Sequence, residues 1–288
     1  MVLILGLGFE IVKGESLFNS FLRKFILTAL KIVTWNVNSI NARLEIALNW
    51  LNFFQPDIVL LQETKGITES FPGVAFEDLG YNVAVVGQKS YNGVAILAKR
   101  PIEDVITSLP GDEQDYEARY IEAVVGDLRV ASIYVPNGQE IGSEKFEYKL
   151  RFLDRLYEHT KTLLNYGEAL ILGGDYNIAP ADEDVYDPKA WEGRLHCSLP
   201  ERAQLRKLMN LGLTDALRVF YPVETLEGQD LYSWWDYRSG GWQRNQGLRI
   251  DLLLLSPQAA DRLQKAGIDT SVRGLPRPSD HAPVWCEL

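Results

Sequence analysis

The chain is poor in cysteine and histidine. Its 288 residues include two cysteines, Cys197 and Cys286, which fit no zinc spacing and cannot build a disulfide framework. Such cysteine usage is typical of a reducing compartment, so we expect a cytoplasmic protein. The three histidines exclude a poly-histidine metal centre. His159 and His196 stand in charged or polar stretches and are expected at the surface, so a two-histidine mechanism would need one of them to converge on His281.

Long uncharged runs are also missing, which argues against a membrane-spanning helix of about 18 residues. The first thirty residues come closest, but Arg23 and Lys24 break their longer apolar stretch. No basic residue precedes the first apolar run, as a signal peptide would require. Because an alternating strand pattern begins only at Lys31, we expect residues 1–29 to be a non-native or disordered extension and residues 30–288 to form one catalytic domain. A surface helix or a membrane anchor is the alternative for the extension.

Basic residues are outnumbered, since 29 lysines and arginines face 39 aspartates and glutamates and the net charge is −10. This acidity argues against nucleic acid as a partner, although it also simply keeps a protein in solution. Residues 232–250 differ, because they hold a single acid, Asp236. Their aromatic and basic residues, with those that follow, are Tyr232, Trp234, Trp235, Tyr237, Arg238, Trp242, Arg244, Arg249, Arg273 and Arg277. We expect a local DNA-binding face here, with Trp235 and Trp242 as alternative core residues.

The chain after Lys31 alternates short apolar strands with amphipathic helices. Apolar residues at spacings of three and four predict a helix over residues 43–54, and Ser143 can cap another that extends to Leu164. Further predicted elements are a short helix over residues 201–211 and strands over residues 32–36, 58–61, 82–86, 94–98, 120–125, 130–135, 170–172, 250–254 and 282–287. This pattern predicts an α/β fold in which two sheets pack face to face with helices outside.

Two buried apolar runs end abruptly in a carboxylate, at Glu63 and at Asp175. A carboxylate at the end of a buried strand is held rigidly at a rim where ligands bind α/β sheets. Asn177 can reach the same centre as Asp175, and the last motif of the chain adds Asp280 and His281. Each motif alone also fits a solvated or capping role. Together they can hold a hard divalent cation and activate a water, which predicts phosphodiester hydrolysis.

The order of the motifs matches one known family. From Lys31 onward the chain closely resembles the exonuclease III family, the bacterial apurinic/apyrimidinic endonucleases of the endonuclease–exonuclease–phosphatase superfamily. The resemblance is carried by residues 34–40 (TWNVNSI), 61–65 (LQETK), 91–95 (YNGVA), 134–138 (YVPNG), 173–180 (GGDYNIAP), 232–238 (YSWWDYR), 247–251 (GLRID) and 279–283 (SDHAP). The second, fifth and last motifs mark the whole superfamily, whereas YVPNG and the WWDYR to GLRID stretch mark its DNA-repair branch. Only the N-terminal extension departs from the family pattern.

The resemblance implies a four-layer αββα sandwich of two mainly antiparallel sheets flanked by helices. It also implies a site for Mg²⁺, with Mn²⁺ as a substitute, formed by Asn36, Glu63 and Asp280. The catalytic residues that it implies are Tyr134, Asp175, Asn177, Asp251 and His281, and the last four become further ligands if a second metal binds. In these roles Asp175 activates the water, His281 binds the phosphate and Asp251 orients His281. Either Tyr134 or Asp175 is the base, and the sequence leaves this choice open.

The implied substrate is double-stranded DNA with abasic sites or 3′ ends, bound by a monomer without any membrane contact. By resemblance, Trp234, Leu248 and Ile250 line a pocket for a sugar without a base. Arg238 and Arg244 hold the backbone, and Trp235 is a candidate wedge.

Two rival functions stay open. One is a phosphatase that acts on a lipid or inositol head group, and the aromatic and basic stretch before Asp251 argues against it. The other is a catalytically silent DNA-binding relative in regulation. The complete set of polar residues argues against that rival, since the loss of any one of them would be its signature.

Overall fold

The computed structural model describes residues 29–225 and 231–288. The predicted extension, residues 1–29, lies outside these ranges except for Ala29, and its status stays a prediction. Within the described part of the chain, no helix has the length and apolar character needed to cross a membrane.

The described residues form twelve strands and seven α-helices. The strands are β1 (Lys31–Asn36), β2 (Ile58–Gln62), β3 (Asn82–Val86), β4 (Val94–Ala98), β5 (Glu103–Ile106), β6 (Tyr120–Val125), β7 (Leu128–Tyr134), β8 (Ala169–Asp175), β9 (Thr214–Asp215), β10 (Asp251–Leu255), β11 (Lys265–Ile268) and β12 (Val284–Glu287). The helices are α1 (Ile40–Phe54), α2 (Gly73–Glu77), α3 (Glu144–Leu164), α4 (Pro188–Trp191), α5 (Leu199–Met209), α6 (Ala216–Phe220) and α7 (Pro257–Ala260). Short 3₁₀ helices cover Thr68–Ser70, Asp182–Asp184, Val223–Thr225, Arg238–Gly240 and Thr270–Gly274.

The strands make two six-stranded sheets, in the orders β11-β12-β1-β2-β4-β3 and β5-β6-β7-β8-β10-β9. In the first sheet only β1 and β2 run parallel, and in the second only β7 and β8 do. The other neighbouring strands pair antiparallel. The predicted α/β class and the mainly antiparallel sheets are therefore confirmed.

Three hydrophobic layers show that the sheets and helices form four layers. Between the sheets, Leu60 and Ile96 of one meet Ile171 of the other in a fully buried core. Outside the second sheet, its apolar residues pack on α3 and α5. Outside the first sheet, they pack on α1. Strands β2, β4, β8 and β10 are buried along their whole length because each lies inside its sheet and is covered on both faces.

The two sheets approach closely at Gly173 in β8. A Cβ atom there would lie 2.5 Å from Leu60 Cδ1 and 2.9 Å from Leu253 Cδ2. Nearby, Gln62 Nε2 donates to Ser132 Oγ at 3.0 Å, which joins β2 of one sheet to β7 of the other. The ends of the central strands are therefore held at a fixed spacing.

The prediction for His159 was wrong. Its side chain on α3 is only 10% exposed, and Nε2 lies 2.6 Å from Oε2 of the buried Glu122. Tyr120 and Arg129 also donate to Glu122. No sequence pattern indicated this contact, because His159 stands among charged residues and its partner Glu122 lies on a strand distant in the chain.

Candidate active site

The ends of four central strands meet at one edge of the two sheets. Asn36 ends β1 and Glu63 follows β2 in the first sheet, while Asp175 ends β8 and Asp251 begins β10 in the second. Parallel pairing of β1 with β2 brings Asn36 opposite Gln62, and antiparallel pairing brings Asp251 opposite Asp175. Sheet register alone thus gathers polar groups that are far apart in sequence.

Asn36 connects the two sheets at this edge. Its Nδ2 donates to Glu63 Oε1 at 2.8 Å and to Asp175 Oδ2 at 2.9 Å, while Oδ1 accepts from the Asn38 amide at 3.0 Å. The amide nitrogen therefore faces the carboxylates, and the oxygen is used within its own loop. In this arrangement Asn36 bridges both carboxylates through its amide nitrogen, and its role as a metal ligand stays a prediction.

Glu63 is the most accessible carboxylate of the group, with a side chain 16% exposed. Its backbone is left-handed, with φ 52°, so the chain turns sharply after β2 and aims the side chain inward. Lys65 Nζ lies 2.7 Å from Glu63 Oε2. Burial raises the pKa of Glu63, but the Lys65 charge and the Asn36 amide lower it further than burial raises it, so the pKa is below its ordinary value. Glu63 is an anion.

Asp175 is fully buried and holds Asn177 in place. The Asn177 amide donates to Asp175 Oδ1 at 2.8 Å, and Asn177 Nδ2 donates to Asp175 Oδ2 at 3.2 Å and to Val135 O at 3.0 Å. Burial raises the pKa of Asp175; the His281 charge opposes this, while the nearby Asp251 and Glu63 carboxylates add to it. A carboxylate with a raised pKa binds protons readily, which suits proton transfer.

His281 and Asp251 form a hydrogen-bonded pair. His281 Nδ1 lies 2.8 Å from Asp251 Oδ2, and Ser233 Oγ donates to the same oxygen at 2.6 Å. His281 Nε2 then points into the site, 3.8 Å from Asp175 Oδ2. Burial lowers the pKa of His281, but the Asp251 and Asp175 carboxylates raise it more, to about 10. His281 is therefore a cation with a free N–H directed at the centre.

Asp280 lies beside this centre with both carboxylate oxygens occupied. Oδ1 accepts from Asn38 Nδ2 at 2.8 Å and Oδ2 accepts from Trp234 Nε1 at 3.0 Å. Burial raises the pKa of Asp280, but His281 and these two donors lower it more. Asp280 thus fixes Trp234 and Asn38 and lies outside the closest group of metal-ligating side chains; its role as a metal ligand stays a prediction.

Tyr134 ends β7 on the other side of Asp175. Burial, followed by the charges of Glu63 and Asp175, raises the pKa of Tyr134 well above its ordinary value. Its phenol is neutral and can donate a hydrogen bond. The guanidinium of Arg119 covers the ring at 4.8 Å from the centroid.

Three side chains at this edge lie close enough together to form a metal site. One atom each from Glu63, Asp175 and His281 lie within 4.8 Å of one another, the one such group of metal-ligating side chains in the described ranges. Two carboxylates suit a hard divalent cation. A charged His281 is not a ligand, so the donor set fits a cation held by Glu63 and Asp175, with His281 free to bind an anion.

The three residues expected to line an apolar pocket do not share one exposed wall. Trp234 is half-buried, and its ring centroid lies 6.4 Å from that of His281. Leu248 and Ile250 are buried in a small cluster behind Trp234, with exposures of 0% and 2%. Trp234 N and O each bond to Leu248 at 2.9 Å. Leu248 and Ile250 therefore support Trp234 from behind, and a pocket lined by Trp234 stays a prediction.

The basic and aromatic stretch divides into exposed and buried residues. Arg238 is exposed and pairs with Asp236 at 2.8 Å, and Arg244 is also exposed. Arg249 was wrongly expected on this face, since it is buried in ion pairs with Asp184 and Asp215 at 2.5 and 2.6 Å.

The two uncertain tryptophans lie in or near the core. Trp235 is only 2% exposed and Trp242 is half-buried, with their rings 4.9 Å apart and edge to face. Arg273, expected on the DNA-binding face, is instead buried, and its guanidinium lies 5.5 to 5.7 Å from both rings and from Tyr237. The alternative reading of Trp235 as a core residue thus holds, and a wedge role for it does not fit.

His196 and Lys149 lie directly behind Asn177, and the sequence gave no sign of either. His196 Nδ1 lies 2.7 Å from Asn177 O, and Lys149 Nζ donates to the same oxygen at 2.8 Å. The surface prediction for His196 was wrong, because it is 7% exposed and its ring centroid is 6.1 Å from that of Trp234. Burial and the Lys149 charge lower the pKa of His196 to about 4, so its ring is neutral.

Comparison with known proteins adds to this geometry. Residues 33–281 match the sequence profile described as the Endonuclease/Exonuclease/phosphatase family. The chain is 36% identical to "Exodeoxyribonuclease III" of Haemophilus influenzae over 270 residues, which is 90% of this chain and all of that protein.

Two solved structures are similar over nearly the whole fold. The 3′ phosphatase NExo from Neisseria, bound to a product DNA hairpin, gives a TM-score of 0.86 at 43% identity and covers 90% of this chain and 99% of its own. An AP endonuclease from Archaeoglobus fulgidus gives a TM-score of 0.84 at 37% identity, with coverage of 89% and 98%.

Proposed function

The chain belongs to the endonuclease/exonuclease/phosphatase family, and on that basis we propose that it is a Mg²⁺-dependent DNA repair nuclease of the exodeoxyribonuclease III type. Its substrates are duplexes with damaged or unprotected 3′ ends and duplexes with abasic sites. It removes 3′-blocking groups, degrades DNA from 3′ ends and cuts 5′ to an abasic site, leaving 3′-hydroxyl and 5′-deoxyribose phosphate ends. Action as a monomer in the cytoplasm stays a prediction.

The single observation that carries this proposal is the group formed by Glu63, Asp175 and His281 at the shared edge of the sheets. It combines a cation site with a positively charged N–H donor within a few ångströms. A phosphodiester needs both, since its negative oxygens must be neutralised while a water attacks phosphorus. The half-buried Trp234 beside His281 adds a flat apolar surface of the kind that contacts a sugar or a base.

The donor set fits Mg²⁺, which Glu63 and Asp175 would hold with water completing the shell. When bound, the cation supplies neutralisation of the phosphate oxygens and of the leaving oxygen. The remaining chemistry belongs to side chains. Asp175 is the base, because its buried carboxylate lies at the centre with Oδ2 3.8 Å from His281 Nε2, whereas burial and the neighbouring carboxylates raise the pKa of Tyr134, so its phenol acts only as a donor.

Hydrolysis then proceeds by in-line displacement. The water gives a proton to Asp175 as its oxygen bonds to phosphorus, and the bond between phosphorus and the 3′ oxygen breaks. His281 Nε2 and the Tyr134 hydroxyl donate to the non-bridging oxygens that gain charge. Asn177, fixed by three hydrogen bonds, keeps Asp175 aligned with the water. The leaving 3′ oxygen takes a proton from solvent and ends as a hydroxyl.

The test compares three duplexes, one with a single abasic analogue, one with a 3′ phosphate and one with an unmodified 3′ end. Each is incubated with Mg²⁺, with Mn²⁺ and with EDTA, and products are separated by gel. We expect cleavage with either metal and none with EDTA. Cleavage that EDTA leaves unchanged, or activity restricted to inositol phosphates, would contradict the proposal.

A further inference from the structure

Arg119 immediately precedes β6 and lies next to the active site with its donors poorly satisfied. Its side chain is 14% exposed, and its guanidinium stacks over Tyr134 at 4.8 Å and lies 6.0 Å from the ring of Tyr148. Within residues 29–225 and 231–288, neither Nε nor Nη1 has a hydrogen-bond acceptor. The nearest carboxylate oxygen, Glu117 Oε2, is 3.8 Å from Nε, which is too long for a hydrogen bond.

Unpaired N–H donors on a buried cation such as Arg119 destabilise the fold. An unsatisfied buried polar group costs about 1–3 kcal/mol and a charged one costs more. Glu117 does not complete this arrangement, since its Oε2 lies 3.8 Å from Nε, beyond hydrogen-bond distance, and accepts instead from Asn92 Nδ2. The stacked ring of Tyr134 fixes the plane of the guanidinium but accepts no hydrogen bond in that plane. The arrangement is thus one that an anion would complete.

Arg119 also contributes to the lining of a cavity of about 670 Å³. Its lining includes Arg119, Tyr134 and Asn137, with Lys145 and Arg151 on α3. The cavity adjoins the catalytic centre through two of its lining residues. Asn137 Nδ2 donates to Asn177 Oδ1 at 3.2 Å, and Tyr134 lies close enough to Glu63 for that charge to raise its pKa.

The balance of charge around the cavity favours an anion. Arg119, Lys145 and Arg151 face two acids, Glu117 and Glu144, in its lining. Of these acids, Glu117 is held by an amide. Trp234 lies on the His281 side of the centre, whereas this cavity lies on the Tyr134 side. A DNA strand that places one phosphate at the centre therefore continues over one of these two sides.

We propose that this cavity is a second phosphate subsite, in which Arg119 binds a backbone phosphate of the cleaved strand next to the one that is cut. The inference rests on the proposed nuclease function and adds a binding residue to it. The guanidinium of Arg119 is a permanent cation whose Nε and Nη1 donors lack protein acceptors, and a phosphate oxygen can accept from such a donor. Lys145 and Arg151, which also line the cavity, attract the phosphate by their charge but do not fix its position.

The test joins a protein change to a substrate change. Duplexes are made in which one phosphate of the cleaved strand at a time, on either side of the scissile bond, is a neutral methylphosphonate. For the natural protein one position should weaken binding and cleavage by about tenfold or more, as expected for a lost charged hydrogen bond. In Arg119→Gln that same replacement should cost nothing further, since the partner is already gone.

The controls separate this role from others. Arg262→Gln removes an exposed arginine that pairs with Asp127 at 2.8 Å, and should leave the position-specific effect intact. Arg119→Lys keeps the charge but loses the planar guanidinium over the Tyr134 ring, and should show part of the effect. It also serves if Arg119→Gln does not fold, which a thermal melt will reveal. The slope of affinity against salt should fall by about one unit in Arg119→Gln.

Two results would overturn the inference. One is a methylphosphonate effect that is the same in Arg119→Gln and in the natural protein at every position. The other is an equal loss by Arg119→Gln on duplexes and on a small aryl phosphodiester, which would mean that Arg119 acts only through Tyr134. Binding is measured by fluorescence anisotropy in EDTA as well as by cleavage. A natural protein that binds with the expected coupling but cuts nothing would instead refute the nuclease proposal and leave the subsite standing.

Discussion

Glu63 joins an unusual backbone to an unusual side-chain environment. Its left-handed φ of 52° is uncommon for a residue other than glycine, asparagine or aspartate, and the cost is borne at a position where the carboxylate meets both Asn36 and Lys65. Strain that persists at such a point indicates that the surrounding structure holds the side chain for a purpose.

Replacing Glu63 by glutamine tests that purpose. Glu63→Gln keeps the shape but removes the charge, so we expect the fold to remain and activity at limiting Mg²⁺ to fall at least about 10–100-fold. Excess Mg²⁺ should restore part of it. The measurement is cleavage rate against Mg²⁺ concentration, with the exposed Glu69→Gln as the matched control. Unchanged activity at limiting Mg²⁺ would remove Glu63 from the metal site.

The His281 and Asp251 pair gives a second prediction. Asp251→Ala should lose the group that orients the ring, and His281→Ala should cost more, about 2–5 kcal/mol in transition-state stabilisation. The double variant should be no worse than His281→Ala alone, because the two residues act through one hydrogen bond at 2.8 Å. Measurement of kcat/KM for all three variants decides this, and multiplied losses would show independent roles.

At the residue scale, sequence reasoning found the groups at strand ends and missed the groups behind them. Asn36, Glu63, Asp175, Asp251 and His281 stand in motifs, and the structure brings all five to one edge. His196 carried no such sign, because burial arises from its contact with a backbone oxygen that tertiary folding supplies. Arg249 was misjudged for the same reason, since its acidic partners lie 34 and 65 positions away.

At the element scale, α3, α5 and the loop after β8 meet at a buried ion pair. Lys149 on α3 and Glu201 on α5 are each 0% exposed and bonded to each other. Lys149 Nζ also donates to Asn177 O at 2.8 Å and Asn137 O at 3.2 Å. One ammonium thus ties the loop after β7 to the loop after β8, where Asn177 has a left-handed φ of 51°.

Neutralising both Lys149 and Glu201 should distinguish a role of this ion pair in positioning Asn177 from a role in the stability of the fold. In Lys149→Met/Glu201→Gln neither charge is left unpaired, so we expect stability near that of the natural protein, whereas Lys149→Met alone should lose about 3–5 kcal/mol. Since Asn177 loses its charged anchor, kcat should still fall, by about tenfold, with KM little changed. Thermal melts and steady-state kinetics measure this, with Arg129→Met as a control at a distant ion pair. An unchanged kcat in the double variant would make the pair purely structural.

Elements with strong local signals were predicted well. The predicted strands over residues 82–86, 94–98 and 120–125 coincide with β3, β4 and β6, and Ser143 caps α3 through a bond from the Phe146 amide. Strand β5 escaped because all four of its residues are exposed at a sheet edge, so it has no apolar alternation. Strand β11 is short and has a glycine in its interior, which weakens the same signal.

At the scale of the whole molecule, the start of the described domain, at Leu30, pairs with its end, at Leu288. Leu30 and Leu288 exchange two backbone hydrogen bonds of 3.0 Å each, which extends the pairing of β1 with β12 by one residue. The first sheet therefore has its central strand complete from that point. We therefore predict that residues 30–288 fold without the residues that precede them.

A chain that begins at Leu30, after an initiating methionine, should keep full nuclease activity and its melting temperature within a few degrees. The reason is that the pairings of β1 with β2 and β12, and the Leu30–Leu288 pair beside them, begin at residue 30. Activity and thermal melts of the long and short chains measure this side by side. Loss of solubility or of cleavage in the short chain would show that the preceding residues belong to the catalytic domain.

The close approach of the sheets at Gly173 affects how inactive variants of this protein should be interpreted. One amide, that of Asn36, reaches a carboxylate of each sheet, so the distance between sheets sets the distance between Glu63 and Asp175. Any side chain at Gly173 acts as a wedge between Leu60 and Leu253. A genetic screen for failed repair will consequently recover changes deep between the sheets. A survey limited to the surface that meets DNA would overlook them.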